Sequence, residues 1–73
     1  MSGERDMTVS SVSTLTAQSP EGFEDALRRG VARARQTLRG IYRVEIIAER
    51  ARVERGEIHS YEVDLKVLFR LED

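Results

Sequence analysis

The sequence predicts an α+β domain in which one helix lies on a three-stranded antiparallel sheet, in the chain order β-α-β-β. Three observations support this prediction. Residues 23–38 carry apolar side chains at helical spacing. Residues 59–71 alternate between a mainly apolar set and a mainly polar set, with the apolar Leu68 in the polar set. Residues 41–54 are rich in β-branched and aromatic residues, and the Arg55-Gly56 pair behind them predicts the turn of a hairpin.

The first strand is predicted over residues 7–16, which are rich in Val, Thr and Ser. Neither of its two alternating faces is strongly apolar. A strand buried on one face normally shows a clear apolar set on that face. We therefore expect an edge strand or a partly exposed strand.

The helix has predicted boundaries at both ends. Ser19 is the expected N-cap with Pro20 at the first helical position, and Gly40 is the expected C-cap. Gly30 interrupts the apolar face, which predicts the close approach of another backbone there. The apolar face consists of Phe23, Ala26, Leu27, Val31, Ala34 and Leu38.

The hairpin strands are unusually long for a chain with a single helix. Ile46 and Ile47 are adjacent and would point to opposite faces of a regular strand, which indicates a bulge or burial on both sides. Strands that extend beyond the helix leave apolar surface and hydrogen-bonding edges unsatisfied in a monomer. We therefore expect an obligate oligomer of identical chains.

Composition independently favours association. A chain of 73 residues has a marginal private core, and such chains usually gain stability from disulfides, metal or association. There is no cysteine, and the single histidine, His59, cannot build a zinc site alone. Association is therefore the leading explanation for the stability of the chain.

Charge and hydropathy limit the partners and the compartment. The 12 basic and 13 acidic residues give a net charge of −1, which argues against nucleic-acid binding. No stretch approaches the roughly 18 apolar residues of a membrane span. Residues 1–6 are polar and lack the features of a signal peptide. We expect a disordered leader over residues 1–6, a single domain over residues 7–73, and a cytoplasmic protein.

Three stretches together resemble the dodecin family: Gln18-Ser19-Pro20-Glu21-Gly22, Ala32-Arg33-Ala34-Arg35-Gln36-Thr37-Leu38-Arg39, and Val67-Leu68-Phe69-Arg70-Leu71-Glu72-Asp73. With Tyr61 and Val63 between them, the resemblance covers nearly all of the chain after residue 6. It implies a sheet wrapped around the helix and assembly as a hollow homododecamer. It also implies storage of a bound flavin (riboflavin, FMN or FAD) and no enzymatic turnover.

The resemblance also implies a set of flavin-pocket positions. Members of the family stack flavins between tryptophans, with a glutamine on the last strand and, in some, an arginine on the middle strand. The arginine is retained as Arg50, but Arg43 stands at the tryptophan position and Glu62 at the glutamine position. The chain contains no tryptophan at all, and Tyr42 could partly replace the missing ring. We therefore expect a flavin site that is closed or altered.

The alternative is a flavin-free shell that is either purely structural or binds a divalent cation such as calcium. Carboxylates of several copies could meet around a symmetry axis and bind calcium, as in some dodecin-like proteins without the flavin tryptophan. The metal-binding residues themselves stay open. An enzyme is not expected, because the sequence offers no nucleophile–base pair, phosphate loop or metal cluster. The candidate carboxylates are Glu45, Glu49, Glu54, Glu57 and Asp64.

Overall fold

The computed structural model describes residues 9–71. Strand β1 spans Ser10–Ser19, helix α1 Phe23–Thr37, strand β2 Ile41–Glu54 and strand β3 Glu57–Arg70. The strands form one antiparallel sheet in the order β1-β3-β2. The predicted β-α-β-β fold is confirmed. The predicted leader and the first two residues of the predicted strand lie outside the described residues.

The core lies between α1 and the central strand. Val63, Leu65 and Val67 of β3 are fully buried, and Ala26 and Ala34 of α1 lie against the same layer. Side chains of a strand alternate between its two faces, so the odd-numbered residues of β3 from Tyr61 to Phe69 face the helix. We call this side of the sheet the inner face. The opposite side, which carries Glu62, Asp64, Lys66 and Leu68, is the outer face.

Gly30 allows α1 to pack closely on the sheet. A Cβ atom at this position would lie 2.5 Å from Leu65 Cδ1 and 3.2 Å from both Ala17 Cβ and Leu15 Cδ1. The approach at Gly30 is close, but the predicted partner was wrong: the nearest atoms belong to side chains of β1 and β3 and not to a backbone. The missing side chain lets the helix rest on Leu65.

The predicted start of the helix was wrong. Ser19 is the last residue of β1, α1 begins at Phe23, and Gly22 is the N-cap, with φ of 153°. Ser19 is nevertheless central to the junction, because its hydroxyl donates to Asp25 Oδ2 at 2.6 Å and accepts from the Glu21 N–H at 2.9 Å. The hydroxyl thus connects the end of β1 to the first turn of the helix, a geometry that differs from an N-cap.

The predicted end of the helix was also wrong. The helix ends at Thr37 with Leu38 as the C-cap in an extended conformation. Gly40 lies in the connection to β2 with φ of 75°, where a Cβ would come within 2.8 Å of Arg70 O. The glycine is required for the close approach of the chain to the end of β3, and it does not terminate the helix.

Strand β1 is an edge strand, as predicted, but it extends three residues further than the predicted end at residue 16. Its pairing with β3 continues to Ser19, which lies opposite Tyr61. Ala17 packs against the core, and Ser19 is buried. Because alanine and serine are small and not strongly apolar, the sequence pattern does not indicate that they are buried.

The hairpin of β2 and β3 extends far beyond the helix. The molecule measures 60 × 20 × 14 Å, and pairing of β1 with β3 stops at Tyr61. The predicted turn is confirmed, with positive φ at both Arg55 and Gly56. The predicted bulge is also confirmed, because Ile47 is an extra residue between the Ile46–Leu65 and Ala48–Asp64 pairs. We call residues 52–60 the distal hairpin.

Substitution Gly30→Ala should destabilise the fold by about 1–3 kcal/mol, the usual cost of overpacking a filled core. The added methyl group would meet the fully buried Leu65, which has little room to move. Intrinsic helix propensity alone would give the opposite sign, because alanine favours a helix over glycine. Urea unfolding at matched protein concentration measures the change. Ala32→Leu, which adds bulk at an exposed position of the same helix, should change little.

Substitution Ser19→Ala should lower the melting temperature by several degrees at neutral pH, with a smaller effect in acid. The Ser19 hydrogen bond, followed by the charge of Arg29, lowers the pKa of Asp25 from 3.8. A lowered pKa stabilises the fold above the unfolded value, and this contribution is lost as the pH falls through the folded value. The difference in melting temperature between the wild-type protein and Ser19→Ala should therefore become smaller below about pH 4. A gap that is constant with pH, or one reproduced by Ser13→Ala, would contradict this account.

Candidate functional site

Three of the four predicted ligand positions lie on the outer face, and the pairing of β2 with β3 places them. Arg50 lies opposite Glu62, and Arg43 lies opposite Leu68. Residues directly opposite in a sheet share a face. Six residues of β3 separate the two rows, or about 20 Å along the strand. One copy of the chain therefore brings Arg50 and Glu62 together and leaves Arg43 distant from both.

Arg50 binds two carboxylates of the neighbouring strand. Its Nη2 lies 2.6 Å from Asp64 Oδ2, and its Nη1 lies 3.2 Å from Asp64 Oδ1. The same Nη1 donates to Glu62 Oε1 at 3.3 Å. The contact with Asp64 is the parallel two-bond arrangement in which arginine and a carboxylate pair most strongly. Arg50 is therefore held in a defined orientation across the outer face.

Asp64 is also held by β1, the strand on the other side of β3. Thr16 of β1 lies opposite Asp64, and its hydroxyl donates to Asp64 Oδ1 at 2.8 Å. The hydrogen bonds of Thr16 and Arg50 thus connect β1, β3 and β2 at one level of the outer face. We call Thr16, Arg50, Glu62 and Asp64 the charged row.

The charged row perturbs its own ionisation. Hydrogen bonds from Arg50 and then from Thr16 hold the pKa of Asp64 below its usual value of 3.8. The hydrogen bond and charge of Asp64, with smaller contributions from Glu62, raise the pKa of Arg50. Both groups are therefore ionised at neutral pH. One cation between two anions leaves the row with a local excess of negative charge.

Arg43 is held only loosely. Its Nη1 lies 3.7 Å from Glu45 Oε2, and its guanidinium lies 5.8 Å from the centre of the Tyr42 ring. Glu45 is shared with Lys66 at 3.8 Å. Contacts between exposed charges at such distances contribute little to stability. The guanidinium at position 43 is therefore free to meet a ligand or another copy.

Tyr42 is already covered by side chains of its own copy. The Arg70 guanidinium lies 4.3 Å from the centre of its ring, and its hydroxyl contacts Ser10 Oγ at 3.1 Å. Tyr42 is the extra residue at a second bulge, between the Ile41–Phe69 and Arg43–Leu68 pairs. An arginine over the ring is a favourable cation–π arrangement. A ligand that stacks on that side of Tyr42 would have to displace Arg70.

The five candidate carboxylates do not form a metal site in one copy. Within residues 9–71, no three side chains of the histidine, cysteine, aspartate and glutamate types gather closely enough to hold an ion. Glu54 lies near basic groups, 3.6 Å from His59 Nδ1 and 3.9 Å from Arg52 Nη2. Asp64 is engaged by Arg50. A cation site of these carboxylates would need several copies.

Thr16 was missed by sequence reasoning, and Asp64 was predicted only as one of several acidic residues. The strict alternation of β3 places Asp64 on the outer face, and this signal was available. The partner on β1 depends on the register between two strands that are distant in sequence, which a single sequence does not show. The single helix of the described residues is neither long nor apolar enough to span a membrane.

Comparisons with known proteins agree with the fold. The family model for Dodecin matches residues 9–72. A dodecin of Thermus thermophilus is 39% identical over 59 residues, which cover 81% of this chain and 86% of that protein.

Solved structures extend the likeness to three dimensions. The dodecin of Streptomyces coelicolor superimposes with a TM-score of 0.86 at 36% identity, covering 90% of this chain and 94% of its own. A calcium dodecin of Mycobacterium tuberculosis, described as a calcium-chelating antigen with a novel calcium-binding site, gives a TM-score of 0.77 at 29% identity, covering 89% and 93%. The chain belongs to the dodecin family.

Proposed function

We propose that the protein assembles as a closed homododecameric shell of the dodecin type and stores a small aromatic ligand of the flavin class in the cytoplasm. The observation that carries the assembly is the distal hairpin, where residues 52–59 are all exposed and the pairing of β3 with β1 has ended. Val53 and Ile58 lie opposite each other there, with 59% and 54% of their surface exposed. Burial of this pair against another copy would supply the apolar contact that the small core lacks.

An unsatisfied polar atom supports the same proposal. The Ser60 hydroxyl is buried and has no hydrogen-bond partner among the described residues. Buried polar groups nearly always have a partner, because an unpaired one costs about 1–3 kcal/mol. Ser60 belongs to the distal hairpin and lies opposite Arg52 on the outer face. A donor or acceptor from another copy, or a water held between copies, would complete it.

The separation of the ligand positions indicates where a ligand would bind. Arg50 with Glu62 and the exposed Arg43 lie about 20 Å apart in one copy, so a common pocket would form only between copies. The planar guanidinium of Arg43 can stack on an aromatic ring. The carboxylates of the charged row would offset the repulsion between arginines that symmetry brings together. We propose binding without turnover, because the ionised groups of the row are occupied with one another.

A cation-binding shell is the second candidate function. The likeness to the calcium dodecin favours it. Glu49 and Glu57 are exposed on the hairpin, where symmetry-related copies would bring their carboxylates together. Calcium binds six to eight oxygens, which a shared site between copies supplies more readily than one copy does.

The double variant Val53→Ser/Ile58→Ser should convert the assembly into smaller species in native mass spectrometry. Loss of two exposed apolar side chains removes contact that only another copy can provide. Ala32→Ser on the exposed side of the helix is the control and should keep the wild-type mass. The same spectra report any retained ligand, and calcium would appear as mass that a chelator removes. A wild-type protein that is monomeric at micromolar concentration would refute the shell.

Substitution Glu62→Gln should raise the affinity for riboflavin by about tenfold, which corresponds to one added hydrogen bond. Ionised glutamate only accepts hydrogen bonds, whereas glutamine offers both a donor and an acceptor to the flavin edge. Quenching of riboflavin fluorescence measures the change. Glu57→Gln removes a carboxylate near the turn and should leave the affinity unchanged. Equal effects of the two substitutions would place the ligand elsewhere.

A further inference from the structure

We propose that Asp64, with Glu62, makes the Arg50 position selective for uncharged carbonyl groups and closes it to anions. Exposed arginines are ordinarily anion sites, because the guanidinium matches carboxylate and phosphate groups. The neighbours of Arg50 reverse this preference. The inference rests on the proposed ligand site for the identity of the ligand, whereas the exclusion of anions follows from the charged row alone.

The hydrogen bonds of Arg50 show what remains for a ligand. A guanidinium has five N–H donors. Three hydrogen bonds to Glu62 Oε1, Asp64 Oδ1 and Asp64 Oδ2 use three of them. Two donors therefore remain, one on Nη2 and one on Nε, and the Arg50 side chain is 46% exposed. A carbonyl oxygen can accept from these donors without disturbing the row.

The charge of the row distinguishes a carbonyl from an anion. An anion that contacts the free donor of Nη2 would approach the Asp64 carboxylate, whose Oδ2 is 2.6 Å from the same nitrogen. Glu62 adds a second negative charge at 3.3 Å from Nη1. An uncharged acceptor meets no such repulsion. The row therefore attracts hydrogen-bond acceptors without attracting negative charge.

Asp64 is also held so that an anion cannot easily displace it. The Thr16 hydroxyl fixes Oδ1 while Arg50 binds both carboxylate oxygens. The side chains of Asp64 and Glu62 are 30% and 18% exposed, less than that of Arg50. A ligand reaches the row through the exposed part of the Arg50 side chain, because both carboxylates are more buried than the guanidinium.

Arg43 provides an internal comparison on the same face. Its nearest carboxylate is Glu45 at 3.7 Å, and its side chain is 60% exposed. Among the described residues, no second carboxylate forms an ion pair with Arg43. Arg43 should therefore bind phosphate at a phosphate concentration at which Arg50 does not.

The test measures how fast phenylglyoxal modifies Arg50 and Arg43 in the intact assembly, by peptide mass spectrometry, with inorganic phosphate or riboflavin present. In the wild-type protein, riboflavin should slow the modification of Arg50 and phosphate should not, while phosphate should slow that of Arg43. Asp64→Asn should strengthen the binding of phosphate at Arg50 about tenfold, because one unit charge next to the site is removed. Glu45→Gln removes a carboxylate of the same face that contacts Arg43, and it should leave Arg50 unchanged.

The outcomes separate the inference from the proposed function. Protection of wild-type Arg50 by phosphate, as strong as in Asp64→Asn, would overturn the inference. Phosphate exclusion without riboflavin protection would support anion exclusion and refute the flavin-class ligand. If Asp64→Asn fails to assemble, Glu62→Gln serves as the second variant, with a smaller gain in phosphate protection expected. No gain in Glu62→Gln would then overturn the inference.

Discussion

The length difference between one helix and two strands governs the whole structure. Helix α1 has 15 residues and is about 22 Å long, whereas each hairpin strand has 14 residues and is about 46 Å long. The helix can bury only the part of the sheet around Val63, Leu65 and Val67. Everything beyond this part needs a partner outside the chain. Gly30 adds to this constraint, because its missing side chain lets the helix pack directly on Leu65.

The same constraint separates the two faces of the sheet by role. The inner face packs against the helix and forms the small core, so polar and charged side chains concentrate on the outer face. There the pairing of strands brings Arg50 between Glu62 and Asp64, and Thr16 secures Asp64 from β1. A tie across three strands adds order to a sheet that has a helix on one side only. The proposed ligand selectivity therefore depends on the same four side chains that connect the three strands.

The sequence predicted the elements better than their ends and their neighbours. Periodicity in α1 and β3 arises from burial, so it revealed both elements and the faces that they bury. The helix start was misplaced because Ser19 has the chemistry of an N-cap but is the last residue of β1, and its hydroxyl donates to Asp25 in the first turn of the helix. The sequence predicted only part of the charged row. Alternation shows that Asp64 lies on the outer face, but its contact with Thr16 depends on long-range register.

The bulge at Ile47 has a consequence for the parity of β2. Positions 43 and 50 differ by an odd number, so a regular strand would direct Arg43 and Arg50 to opposite sides of the sheet. The extra residue shifts the alternation by one, and both arginines emerge on the same side. If Ile47 instead paired with Asp64 as in a regular strand, every residue of β2 beyond it would move by one position along β3. Glu49 would then lie opposite Glu62, and like charges would face each other. The bulge at Ile47 thus sets the sign of the charge that β2 presents opposite Glu62 on the outer face.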